Sequence, residues 1–183
     1  MRLFTAIDLP DAVCDNLIAL LERLKPTVRI KWSPPSNLHI TTKFIGEWPE
    51  ERLPELKQAL GGLASRQAIP VQIRNVGFYP NPHSPRVFFA GIEAPPELAG
   101  LAGEIDQALE RIGVAAEKRP YSPHLTLARI KEPVPLQKLR QAIADLDSLE
   151  FGAFQADRFH LYQSRTSPAG SVYTKLSEFP LSK

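Results

Sequence analysis

The feature that most constrains this sequence is an internal repeat with a period of 85 residues. The frame His-x-Thr at His39–Thr41 returns 85 positions later at His124–Thr126. Sequence outside the frame repeats at the same distance, since Val87-Phe88 corresponds to Val172-Tyr173. A period this long is far beyond that of a solenoid, so it predicts a duplicated half-domain. Duplication places two equivalent strands, and therefore two histidines, in related positions.

Both copies of the frame alternate apolar and polar residues, which is the period of a half-buried strand. In an extended chain His39 and Thr41 project from one face, and His124 and Thr126 do the same in the second copy. A single His-x-Thr carries little information, because threonine favours strands in any case and short motifs often occur by chance. Two copies in matching contexts instead predict a small site with near two-fold symmetry.

The order of predicted elements is the same in both repeat units, about residues 1–85 and 86–170. Hydrophobic periodicity and the Pro/Gly punctuation predict strands at 2–8, 28–32, 37–46, 69–78, 86–93, 114–118, 122–131 and 151–163, and helices at 10–25, 49–62, 95–112 and 135–146. A closing strand at 171–178 is a third copy of the first element and is expected to complete a sheet begun elsewhere. Each unit is thus β-α-β-β-α-β, the ferredoxin-like arrangement. We predict a single α+β domain over residues 1–183, bilobed, with two pseudo-symmetric halves whose antiparallel sheets face a central cleft.

Composition excludes some functions without selecting one. A length of 183 residues with 43% hydrophobic and 23% charged residues suits one globular domain. The net charge of +2 tolerates an anionic substrate but does not indicate a dedicated nucleic-acid binder. The one cysteine, Cys14, leaves no internal disulfide and no cysteine-rich zinc site, and we assign it to a helix core. With no signal peptide and no apolar run of membrane-spanning length, we expect a cytoplasmic protein without a membrane partner. We also expect it to be a monomer.

The sequence resembles the 2H phosphoesterase superfamily, and most closely its RNA 2′,3′-cyclic phosphodiesterase branch, also called 2′-5′ RNA ligases. The resemblance rests on the segments Leu3–Pro10, Asn37–Thr41 and Pro123–Arg129, with both frames intact, and it covers essentially the whole chain. It implies a bilobed α+β fold in which one lobe carries both chain ends. It also implies cofactor-free, metal-independent hydrolysis of a 2′,3′-cyclic phosphate, with RNA or nucleotides bearing such ends as partners. Thr42 departs from the family pattern, which often has an apolar residue there.

The chemistry of such a reaction accounts for the residue types. Opening a cyclic phosphodiester requires a base that takes a proton from water and an acid that protonates the leaving oxygen. Histidine can do either near neutral pH, and threonine hydroxyls can donate hydrogen bonds to the phosphate oxygens. We therefore predict catalytic roles for His39, Thr41, His124 and Thr126. The resemblance favours His39 as the acid and His124 as the base.

Four further residues are predicted to contact substrate. Side chains alternate between the two faces of a strand, and this strand parity places Lys43 on the same face as His39. Lys43 could therefore contact the phosphate or simply be solvated. The resemblance associates Phe44 and Arg129 with the nucleotide, but parity places both on the opposite face, so a bulge or a strand end is needed. Core packing is the alternative for Phe44. Tyr121 could stack on a base or cover the core.

Three other functions remain open. A non-catalytic RNA-binding module could use similar sheets, although the aromatic signature of RRM domains is absent. A metallohydrolase is weakly supported, because the histidines show no metal-ligand spacing. Ligation through a 2′-5′ bond could occur at the same site as the reverse reaction. The remaining histidines, His83 and His160, lack a matching threonine and are predicted to be structural or exposed.

Overall fold

Nine strands and four α-helices make up the fold of the computed structural model, which describes residues 1–183. The strands are β1 Arg2–Asp8, β2 Lys31–Trp32, β3 His39–Glu47, β4 Ile69–Tyr79, β5 Val87–Glu93, β6 His124–Arg129, β7 Glu150–Ala156, β8 Arg158–Ser167 and β9 Gly170–Pro180. The helices are α1 Asp11–Leu24, α2 Leu53–Gly61, α3 Pro96–Glu110 and α4 Gln137–Ala144. None of these helices has the length and apolar character needed to cross a membrane.

The strands form two antiparallel sheets, with the orders β3-β1-β8-β9 and β2-β6-β5-β4-β7. Under the 85-residue offset β3 corresponds to β6, β1 to β5, and β4 overlaps β8, so equivalent strands occupy equivalent places. However, β4 from the first repeat unit lies in the second sheet, and β8 from the second unit lies in the first. This exchange interlocks the two units. The predicted α+β class with two antiparallel sheets is confirmed, and β9 completes the sheet that contains β1.

The helices cover the outer faces of the sheets and leave the inner faces free. Helix α1 packs with α4 behind β7, and α2 packs with α3 behind β9 and β3. The approach of α1 to β7 is close, because a Cβ atom on Gly152 would lie 2.9 Å from Val13 Cγ2. Thirty-five buried side chains form one continuous apolar cluster beneath both sheets. The two lobes therefore share one core, which holds their inner faces in a fixed relation.

Three predicted strands differ in the structure. The strand predicted at 114–118 is absent, because Val114 enters the core alone while the Ala115 carbonyl accepts a hydrogen bond from Lys43 instead of a neighbouring strand. The strand predicted at 28–32 contains only Lys31–Trp32. The extended segment predicted at 151–163 is divided at Asp157, where the chain leaves the second sheet and enters the first.

Candidate active site

A cleft with a volume of about 830 Å³ lies between the inner faces of the sheets. Strands β3 and β6 are neighbours across it, and the predicted His39, Thr41, His124 and Thr126 all line it. The structure thus brings both His-x-Thr frames to one site. A separate cavity of about 170 Å³ beside α2 and the last strand is lined mainly by apolar side chains and contains no histidine.

Each of the two strands that carry a His-x-Thr frame contains a β-bulge, and the two bulges lie at equivalent positions of the repeat. In β3 the residues flanking Thr42 pair with adjacent residues of β1, which leaves Thr42 as the extra residue. In β6 the extra residue opposite β5 is Leu127, 85 positions later. A bulge resets the alternation of faces, so Phe44 and Arg129 line the cleft. Strand parity alone placed Phe44 and Arg129 on the opposite face. A bulge was therefore needed for either residue to reach a bound nucleotide, and each strand has one.

The environments of the aromatic residues Phe44 and Tyr121 differ. Phe44 is 65% exposed, and its ring centroid lies 6.3 Å from that of Phe4 at the cleft wall, so the core-packing alternative is wrong. Tyr121 lines the cleft and also packs against the main apolar cluster, so it covers part of the core, and its hydroxyl donates a 2.8 Å hydrogen bond to the Thr41 carbonyl. Burial raises the pKa of the Tyr121 phenol. This bond connects the segment before β6 to the first frame on β3.

Lys43 borders the cleft, but its side chain does not point the way that strand parity predicted. The bulge at Thr42 turns its side chain towards α3, where it is 3% exposed. Its Nζ lies 2.7 Å from Asp106 Oδ1 and 3.2 Å from Glu117 Oε1, and it donates a 2.8 Å hydrogen bond to the Ala115 carbonyl. These three acceptors match the three donors of an ammonium group. The ammonium charge of Lys43 is therefore already paired inside the fold, and a contact between Lys43 and substrate stays a prediction.

His39 occupies a mostly buried position at the wall of the cleft. Its ring packs against Tyr162 at a centroid distance of 4.6 Å and Tyr173 at 5.8 Å. Burial lowers the pKa of His39, and the Asp8 carboxylate, 3.8 Å from Nε2, opposes that shift. The Asn37 carbonyl also lies close enough to favour the protonated ring, although Nδ1 makes no hydrogen bond of normal geometry.

His124 has a different environment despite its equivalent place in the repeat. It is exposed, and its Nδ1 lies 3.2 Å from the Ser122 carbonyl. Tyr79 stacks nearly parallel to the ring and Phe89 meets it edge-on, at centroid distances of 6.4 and 5.7 Å. Because a carbonyl can only accept, Nδ1 carries the hydrogen in the neutral ring. Nε2 is then free to accept a proton.

Asp8 is a residue beside the site that sequence reasoning did not single out. Tyr162 donates a hydrogen bond to Oδ1, Lys175 donates a 2.7 Å bond to Oδ2, and His160 Nδ1 lies 3.5 Å from Oδ2. Burial alone would raise the pKa of Asp8, but the bonds from Lys175 and Tyr162 and the charge of His160 hold it below its ordinary value. Asp8 lies in the segment Leu3–Pro10 that carries the family resemblance. The residues that contact its carboxylate, however, lie on β3, β8 and β9, and a local sequence pattern cannot predict contacts between distant strands.

The two remaining histidines lie outside the set of cleft-lining residues. His160 is buried, with Nε2 3.1 Å from Glu178 Oε1, in agreement with the structural role predicted for it. His83 lies exposed in the turn before β5, which agrees with its predicted exposure. No group of three or more His, Cys, Asp or Glu side chains is arranged to hold a metal ion.

Comparisons with known proteins agree with this arrangement. A family model described as LigT like phosphoesterase matches the chain twice, over residues 7–89 and 92–173, so each match follows one repeat unit. An RNA 2′,3′-cyclic phosphodiesterase of Methanothermobacter thermautotrophicus is 32% identical over 183 residues, covering 99% of both chains. A crystal structure from Thermus thermophilus superposes with a TM-score of 0.82 at 33% identity, covering 99% of this chain and 98% of the other. Escherichia coli LigT complexed with 3′-AMP gives a TM-score of 0.79 at 26% identity, covering 100% and 98%.

Proposed function

Because the chain belongs to the LigT-like phosphoesterase family of the 2H superfamily, we propose that it is an RNA 2′,3′-cyclic phosphodiesterase. It hydrolyses the cyclic phosphate at an RNA or nucleotide end to a 2′-phosphomonoester. The observation that carries this proposal is the meeting of two equivalent His-x-Thr frames in one cleft between the sheets. A relative with 99% coverage has this activity in its name, and a solved structure of similar fold binds 3′-AMP.

The two histidines supply the acid and the base. His124 Nε2 takes a proton from water as the water oxygen forms a bond to phosphorus. The bond between phosphorus and the 3′-oxygen breaks on the opposite side, and His39 Nε2 donates a proton to that oxygen. The products are a 2′-phosphate and a free 3′-hydroxyl, with His39 neutral and His124 protonated. Proton exchange with solvent restores both rings, so no metal or covalent intermediate is needed.

The threonines and the cleft walls bind the substrate. Thr41 and Thr126 are placed beside the histidines on the same strands, and their hydroxyls donate hydrogen bonds to the non-bridging phosphate oxygens. Loss of one such donor costs about 3 kcal/mol of barrier. Phe44 and Tyr121 offer ring faces on which a base can stack, and Arg129 supplies positive charge at the cleft.

The proposal is tested with adenosine 2′,3′-cyclic phosphate and with an RNA oligonucleotide that ends in the same group. Chromatography against standards distinguishes a 2′-phosphate product from a 3′-phosphate product. We expect only the 2′-phosphate, and loss of most activity in His39→Ala and His124→Ala. His83→Ala is the matched control, because this histidine is exposed outside the cleft, and it should retain wild-type rates.

Two outcomes would overturn this function. Failure of the folded protein to hydrolyse either substrate would exclude it, and an equal loss in the His83 control would separate the activity from the cleft. A further arm adds an RNA with a 5′-hydroxyl end. Formation of a 2′-5′ bond faster than hydrolysis would make ligation the principal reaction of this site.

A further inference from the structure

We propose that Asp8 is a positioning residue that favours the protonated form of His39 and thereby makes the two histidines inequivalent. The proposal rests on the function proposed above, because it concerns how the histidine that serves as the acid is kept protonated against the effect of burial. It deepens that function by naming a residue outside both His-x-Thr frames. The sequence repeat alone offers no such distinction.

The position of Asp8 follows from strand register. Asp8 and His39 are direct partners across the antiparallel pair β1–β3, and direct partners project to the same face of a sheet. The carboxylate Oδ1 lies 3.8 Å from His39 Nε2, with 33% of the Asp8 side chain and 10% of the His39 side chain exposed. Partial burial of both groups limits screening by water. An opposite charge at this distance favours the imidazolium.

Asp8 is held as a fixed anion by groups on two other strands. Tyr162 on β8 and Lys175 on β9 donate hydrogen bonds to different carboxylate oxygens, and His160 Nδ1 lies near one of them. Hydrogen bonds to a carboxylate favour its charged form. The direction of the pKa of Asp8, below its ordinary value, agrees with this. The anion beside His39 therefore persists throughout the neutral pH range.

The other charged groups around His39 act in both directions. Lys175 and His160 disfavour its protonation, the Asn37 carbonyl favours it, and burial disfavours it. The rings of Tyr162 and Tyr173 pack on the imidazole, and burial together with the hydrogen bond to Asp8 raises the pKa of Tyr162. Asp8 is the one carboxylate paired with His39. Without Asp8, only the Asn37 carbonyl would oppose the effects of burial, Lys175 and His160 on the pKa of His39.

The second repeat unit has no counterpart to this pair. The residue equivalent to Asp8 is Glu93, whose Oε2 lies 3.6 Å from Arg74 Nη1 on the neighbouring strand β4. His124 lies opposite Gly91 in the register of β5 and β6. A glycine brings no charge to the ring. The duplication therefore conserves the two imidazoles but gives a carboxylate neighbour to His39 alone.

The experiment is an NMR titration of the histidine Hε1 and Cε1 signals, with His39 assigned by its disappearance in His39→Gln. In Asp8→Asn we expect the pKa of His39 to fall by about one unit. Lys175→Met removes a competing cation and should move the pKa of His39 upward. Glu93→Gln is the matched control, because it changes the equivalent position of the other unit, and it should leave the titration of His39 unchanged.

The activity measurement is the pH profile of kcat/KM with the cyclic phosphate. A general acid must be protonated, so its pKa sets the alkaline limb. In Asp8→Asn the alkaline limb should move to lower pH by about one unit, the same amount as the pKa of His39. At pH values above that limb, kcat/KM should then be about tenfold lower than in the wild type. KM should change little, because Asp8 does not bind the substrate in this proposal. Lys175→Met should extend the limb to higher pH.

Opposite shifts in the two variants support the proposal, since a general disturbance of the fold would not produce them. An unchanged titration of His39 in folded Asp8→Asn, or shifts of equal sign in both variants, would overturn it. If Asp8→Asn does not fold, Asp8→Ser, which is smaller and also uncharged, takes its place with the same criteria. If the wild type fails to hydrolyse the substrate, the proposed function is lost, while the titration still decides whether Asp8 acts on His39.

Discussion

Replacing Lys43 by methionine separates the role that strand parity suggests from the one that the fold imposes. Lys43→Met keeps an apolar stem of similar length and removes the ammonium group. In the structure that group is 3% exposed and is held by Asp106, Glu117 and the Ala115 carbonyl. We expect a large loss of stability and, in the protein that remains folded, little change in substrate binding.

The magnitude follows from the burial of each partner. Removal of one member of a fully buried ion pair destabilises by about 3–5 kcal/mol, because the other charge is left without compensation. Here the side chain of Asp106 is 20% exposed and that of Glu117 is 53% exposed, so water can partly solvate both carboxylates. We therefore expect a loss of about 2–4 kcal/mol in the free energy of unfolding. At 3 kcal/mol this corresponds to a fall in Tm of roughly 6–12 °C for a domain of this size.

The assay combines urea unfolding with steady-state kinetics below the transition. Lys138→Met is the matched control, because Lys138 is exposed on α4 and forms no ion pair; its stability should not change measurably. A rise of tenfold or more in KM for Lys43→Met without a loss of stability would refute this reasoning. It would mean that the ammonium leaves its carboxylate partners to bind the phosphate.

Four further outcomes follow from the site. A substrate with a much better leaving group needs no general acid, so activity on it should recover in His39→Ala and stay lost in His124→Ala; equal recovery in both would contradict the assigned roles. The double variant should be little worse than either single one, because the pair acts as a unit. Activity should be complete in EDTA, and a loss reversed by zinc or manganese would indicate a metallohydrolase. Since the pKa of His39 and of Asp8 are both lowered, their contributions to stability should be complete at pH 7. They should decline as the pH falls, first below about 6.5 and again below about 3.9. Thermal unfolding at pH 7 and 5 measures the first decline, which His39→Gln should reduce.

Much of the fold could be predicted because it is encoded in local periodicity. The alternation around His39 and His124 predicted two strands, and the 3.6-residue spacing of Val13, Leu17 and Leu24 predicted the buried face of α1. Prolines marked where helices begin. The repeat then related the two halves without any information about contacts. The four His and Thr residues of the site were available at this level because each frame is contiguous.

The tertiary structure alone decided how these strands are combined. The 85-residue offset relates β4 to β8, but their exchange between sheets depends on which edge each strand finds when the shared core forms. The short strand predicted at 114–118 failed for the same reason, since hydrogen-bonding partners are not part of a local pattern.

At the site, sequence by itself determined which chemical groups are present, and the fold determined which of them meet. The unpaired residues Thr42 in β3 and Leu127 in β6 reset the side-chain alternation, and such a bulge cannot be seen in a single strand's pattern. The bulges bring Phe44 to the cleft and bury Lys43. Asp8 reaches His39 only through the register of β1 and β3, because register is fixed by contacts between residues far apart in the chain, whereas periodicity is fixed by neighbours along it.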